Sequence, residues 1–152
     1  MTCTYIEAID EMYGMLQERW ASLTPSIVDG EAPKILYIGQ TQKTKPPADK
    51  YYARMELNVF DEFQATFKTD IDGTNSRRYT NHGILLLHIF CPFSDAQNSI
   101  RGNQLGIVAR DSYRGKRSDS VVFYNCKISP WFPNEVFNKI IVSTEYKYDD
   151  VG

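Results

Sequence analysis

The chain reads as an α+β domain, a mostly antiparallel β-sheet packed by an N-terminal helix and a second, central helix. Three stretches predict it. Ile6, Ile9, Tyr13, Leu16 and Trp20 recur at spacings of three and four, which makes one apolar stripe on a helix. Between Tyr51 and Phe60, Ala53, Met55, Leu57 and Val59 alternate with Arg54, Glu56 and Asn58, the period of a half-buried strand. From His82 to Phe93 the run GILLLHIFCPF is apolar on both faces, which predicts a central strand covered on both sides.

The remaining elements fall into place around these. Thr4 and Glu7 have the spacing of a capping box and start the first helix, which Pro25 ends. Lys34 to Ile38 (KILYI) predicts a short strand after Pro33. Residues 39–50, GQTQKTKPPADK, carry adjacent prolines and no hydrophobic period, so they predict a long polar loop. Phe63 to Lys68 is expected to continue or pair with the strand before it. Residues 69–81, with Asp72-Gly73 and Arg77-Arg78, predict a second long polar loop. Pro92 stops the central strand. Ser94 and Gln97 repeat the capping-box spacing before a helix from about Ala96 to Tyr113. Two strands close the chain, Ser120 to Ile128 and Phe137 to Tyr148, joined through a rigid aromatic loop, Pro130-Trp131-Phe132-Pro133. No repeat or low-complexity tract divides the sequence, so residues 1–152 predict a single domain.

Composition narrows the function classes. Seventeen basic residues against nineteen acidic give a net charge of −2, which offers no global attraction for nucleic acid or anionic membranes. The longest apolar run, Ile84 to Leu87, stops at His88, far short of the roughly 20 residues a membrane-spanning helix needs. No basic segment followed by an apolar stretch opens the chain, so no secretory signal is expected. Cys3, Cys91 and Cys126 are odd in number and widely spaced, unlike a disulfide framework. Ten tyrosines and eight phenylalanines suit both half-buried strands and interfaces.

Catalytic chemistry has no visible constellation. His82 and His88, six residues apart on one strand, would stand roughly 20 Å apart, too far to share a metal. Cys91 lies at an odd offset from His88, so the two face opposite sides of a strand. Asp70-Ile-Asp72-Gly73 lacks the glycine and glutamate positions of a calcium loop and reads as an Asp-Gly turn. Gly102 and Gly106 suit close helix-on-sheet packing. The expectation is therefore a chain without enzymatic activity, metal or cofactor. Basic residues form the one notable pattern: Lys43 and Lys45 in the first loop, Arg77 and Arg78 in the second, and Arg114, Lys116 and Arg117 after the second helix, where Gly115 lets the chain turn outward. Either they are a solvated surface, or they meet an acidic partner or passing DNA.

The N-terminal helix, the KILYI strand, the unit YTNHGILLLHIFCPFSDAQN leading into a helix, and the closing NKIIVSTEYKYDD together resemble the tail-terminator proteins of long-tailed bacteriophages and their tail-terminator-like relatives. The likeness spans nearly the whole chain and is one of layout and strand texture, without a signature motif. It implies a structural late protein of the virion, assembled in the host cytoplasm. Such a protein forms a homo-hexameric ring on the tail-tube protein, ends tail growth, and presents a surface to a head-completion or neck protein. DNA passes through the ring without specific binding, and no catalytic residue belongs to the family. Another neck or head-completion role is the nearest alternative. Two further ones are a small-ligand-binding helix-plus-sheet domain using His88 with Tyr124 or Tyr146, and a single-strand nucleic-acid binder using Tyr113 beside Arg114 and Lys116.

Overall fold

The computed structural model describes residues 3–37, 47, 49–69, 75–129, 132–133 and 137–151; residues 61–69, 75–78, 132–133 and 151 are described by backbone alone. Helix α1 (Tyr5–Leu23) starts as its sequence dictates. The Thr4 hydroxyl accepts from the Glu7 N–H at 3.2 Å, and the Glu7 carboxylate accepts from the Thr4 N–H at 2.8 Å. Two otherwise orphaned donors are thereby satisfied. Its buried face is Ala8, Met12, Leu16 and Trp20. That is the predicted stripe rotated toward smaller residues: Leu16 and Trp20 hold, Ile9 and Tyr13 flank the core, and Ile6 is exposed. Pro25 opens a single turn, α2 (Pro25–Val28), rather than merely ending α1.

Strand β1 (Lys34–Leu36) pairs parallel with β2 (Tyr52–Thr69) through Tyr52 to Arg54 only. All other pairings in the six-stranded sheet are antiparallel. Strand β3 (Asn75–Pro92) is central, between β2 and β6 (Phe137–Val151), with β4 (Val121–Ile128) at the far edge. The order is β1-β2-β3-β6-β4, and β5 (Phe132–Pro133) adds a two-residue pairing to β6. Helix α3 (Asn98–Tyr113) packs with α1 over β3, β4 and β6. The fold is thus the predicted α+β class.

Three local expectations are corrected. The second polar loop is largely strand: Asn75 to Asn81, including Arg77 and Arg78, pairs with β2 from Glu62 to Thr69. Ladder hydrogen bonds are made by the backbone, so a polar segment with no apolar alternation can still complete a hairpin. The Ser94–Gln97 capping box does not form; the Asp95 carboxylate accepts the Gln97 N–H at 2.9 Å and α3 begins at Asn98. The aromatic loop contains a strand, because Phe132 and Pro133 pair with Lys139 and Asn138. The loop at 39–50 lies almost wholly outside the described residues, as do Lys43 and Lys45.

The sheet has one covered face. Leu85, Leu87, Ile89 and Cys91 of β3 join Met12, Leu16 and Leu105 in the core on the helix side. The alternate residues His82, Ile84, Leu86, His88 and Phe90 point away from the helices. The central position of β3 agrees with its sequence, but among the described residues helices cover it on one face only.

Candidate functional site

The basic corner between α3 and β4 is built on a rigid foundation. Tyr113 ends α3 fully buried, and its hydroxyl donates to the Met12 carbonyl at 2.7 Å, fastening the helix end to α1. Arg114 leaves the helix in extended conformation, and Gly115 turns the chain at φ +67°, a geometry that glycine adopts without strain. Beyond the turn, Glu11 of α1 accepts from the Ser118 hydroxyl at 2.6 Å and the Ser120 N–H at 3.3 Å. Arg117 forms an antiparallel bridge to Val122. The backbone is held at both ends while Arg114, Lys116 and Arg117 are exposed. Among the described residues, none of these three side chains has a hydrogen-bond or ion-pair partner. Unpaired cations on a fixed backbone can meet an anionic partner with no backbone to order, only their own side chains.

Arg77 and Arg78 are not gathered here. Arg78 stands opposite Val151, four positions along β6 from Lys147, whose neighbour Val122 bridges Arg117. Four residues of strand separate the two levels by about 13 Å. Arg77 and Arg78 therefore belong to the hairpin of β2 and β3 rather than to the corner.

On the open face, His88 Nε2 lies 2.8 Å from Glu56 Oε2, and His88 Nδ1 is buried without a partner. Burial pushes the His88 pKa below its usual value, partly opposed by the Glu56 hydrogen bond, with Lys139 and Arg54 adding repulsion. Aromatic rings flank this pair at both ends. Tyr52 stacks on Phe90 at 4.5 Å with Phe137 edge-on, and His82 stacks on Tyr124 at 5.7 Å with Phe60 edge-on. Phe60 and Val122 are exposed.

Neither alternative built on single residues gathers its group. Tyr113 is 1% exposed, so its ring offers no face to a nucleotide base. Tyr124 shares the open face with His88 but stands at the level of Ile84, four residues or about 13 Å along β3, and Tyr146 is opposite Gly83 on the helix side, so neither converges with His88. His88 and Cys91 face opposite sides of β3 as expected, and burial drives the Cys91 thiol up to about 12, far from a reactive thiolate.

Sequence reasoning missed one polar cluster. Arg101 of α3 bridges Asp95 and Asp29, each at 2.9 Å, and the Tyr51 hydroxyl donates to Asp95 at 2.6 Å. These contacts depress the Asp95 carboxyl, first through the Tyr51 hydrogen bond. They line a wide cavity of about 750 Å³ at the end of the sheet where β1 and β2 begin, with Lys34 and Lys50 on its rim. Asp95 just before a predicted helix was the available signal, since Asp commonly accepts the first helical N–H groups.

No group of three or more His, Cys, Asp or Glu side chains spaced for a metal occurs among the described residues. No helix among them is long and apolar enough to cross a membrane. No protein-family model and no curated protein matches the chain. Several solved structures are similar to it; one of them aligns at a TM-score of 0.57 and 14% identity, over 92% of this chain and 94% of that one. At that identity the likeness speaks for the fold alone.

Proposed function

We propose that this chain is a structural protein of a phage virion, a tail-terminator-like subunit that closes into a hexameric ring on the tail tube. In this role it ends tail growth and joins the tail to a head-completion or neck protein, while DNA passes through the ring without specific binding. The observation that carries the proposal is the fixed basic corner, three exposed cations without partners among the described residues, at one edge of a sheet whose second face no described helix covers. An open sheet face and a cationic edge held on a fixed backbone leave surface on which a neighbouring subunit can be seated. The layout of helix, short strand, central strand, helix and closing strand adds support, because it is the order in which the sequence resembles that family.

The test is a tube-growth assay. Tail-tube subunits of the same virion are assembled with and without the purified chain, and tube length and ends are measured by electron microscopy. Tubes of arrested length with a six-fold ring at one end are expected. Unchanged growth with no density at either end would falsify the proposal.

A further inference from the structure

Resting on the ring reading above, we infer that the basic corner binds a second copy of this chain, at the acidic outer edge of its β2. The register of the sheet carries this. Asp61 pairs with His82, His82 with Lys147, and Lys147 with Val122, which bridges Arg117. Asp61 and Arg117 are therefore the two ends of one transverse row across the whole sheet. Nothing among the described residues pairs outside Asp61, because β1 covers β2 only from Tyr52 to Arg54. The next row runs from Glu62 through Asn81 and Tyr148 to Val121 and ends in the same corner.

The charges of the two edges are complementary. Residues 55–69 of β2 carry Glu56, Asp61 and Glu62 against Lys68, and residues 114–119 carry Arg114, Lys116 and Arg117 against Asp119. A ring closes by rotation alone, so surfaces that meet must stand at one height along its axis. When the axis runs along the strands, each transverse row keeps a single height, and the acidic end of one copy arrives opposite the basic end of the next. The right-handed twist of a sheet supplies curvature between copies.

The contact is one of side-chain charge rather than a continued ladder. Below the corner, β4 is bulged between Tyr124 and Lys127 with Asn125 at φ +52°, which blunts that edge against strand addition. The bridge of Arg117 to Val122 likewise occupies the start of the β4 edge. What this edge offers at the level of Asp61 is its cations.

Reversal of each side, alone and together, tests the pairing. One variant carries Lys116→Glu with Arg117→Glu; the other carries Asp61→Lys with Glu62→Lys. Self-association is followed by native mass spectrometry and light scattering over a concentration series. The unmodified chain is expected to form rings, and each reversal to weaken association by more than about a hundredfold. An equimolar mixture is expected to recover rings that alternate the two variants, since each corner then meets an opposite edge. Should a reversal disturb folding, Lys116→Gln with Arg117→Gln reads the same contact as weakened association that no longer depends on salt. Rings that persist in both reversals remove this contact and leave the ring reading standing. A mixture that stays monomeric, although each variant keeps its circular dichroism, also overturns the pairing. An unmodified chain that is monomeric throughout removes the ring reading and this contact together.

Discussion

The two faces of the sheet are made by the same strands, residue alternating with residue, yet they solve different problems. On the helix side Leu85, Leu87, Ile89 and Ile140 are at most 1% exposed, closed over by Met12, Leu16 and Leu105. On the other side Ile84, Leu86 and Ile141 are half-buried. Aromatic pairs and the His88–Glu56 bond occupy that face where a helix layer would otherwise lie. The difference teaches that stability in this chain resides mainly on one side. Its uncovered face and edges can be altered at lower cost, which is where a subunit has room to carry its contacts.

The largest expected effect lies on the covered side. Trp20 is 3% exposed, and its indole N–H donates to the Pro33 carbonyl at 2.8 Å, tying α1 to the segment that enters β1. Trp20→Ala should cost about 3–5 kcal/mol in chemical denaturation. A loss under about 1 kcal/mol would show that the helix layer contributes little, and the contrast between the faces would collapse. Gly83 comes next. A Cβ there would run into the Asn58 carbonyl and the Tyr146 ring, and the backbone oxygen has no rotamer by which to move aside. Gly83→Ala should destabilise by about 1–3 kcal/mol, read from the same denaturation curves. A neutral result would mean that β2 and β3 separate easily at this level.

A smaller effect is expected on the open face and depends on pH. His88 has its folded pKa lowered by burial, so the unfolded chain binds a proton more readily. Stability should therefore rise with pH through the window below about 6.5 and be complete above it. The groups facing His88 are Glu56 and Arg54 of β2 and Lys139 of β6. Replacing His88 by Gln should flatten the acid side of the stability profile between the two pKa values. If the profile of His88→Gln matches the unmodified chain, the imidazole is not what titrates.

How much of this was legible before the structure follows from what each signal measures. Period-two alternation identified the covered half of β2, where Ala53 and Met55 are buried, but Val59 continues the pattern and is exposed. Alternation records which side of a strand is apolar, not how far the covering helices extend. Large residues drew the α1 stripe toward Ile6, whereas the close approach of the helix selects Ala8. Residues 75–81 were read as a loop because their pairing is a matter of backbone, invisible to hydrophobicity. At the site, the charges of Arg114, Lys116 and Arg117 and the turn at Gly115 could be read directly. The row that joins Arg117 to Asp61 could not, since register across four strands is set by long-range pairing rather than by any local pattern.

The smallest expected effect on stability accompanies a large one on assembly. Arg114, Lys116 and Arg117 are exposed and make no pairs among the described residues, so changing all three to Glu removes no native bond. The backbone beneath them is held by Glu11 through Ser118 and Ser120, and by the Tyr113 hydroxyl on Met12, none of which is touched. New carboxylates near Glu11 add some repulsion, but solvent screens it at exposed positions, and the unfolding free energy should shift by less than about 1 kcal/mol. On the proposed tail-terminator role, joining of tail to head, measured as the yield of infectious particles from a genome carrying the triple substitution, should nevertheless be abolished. The same substitution on the covered face would unfold the domain; here the fold should stay while the assembly fails. Normal yields from the triple mutant would mean that the corner is only a solvated surface.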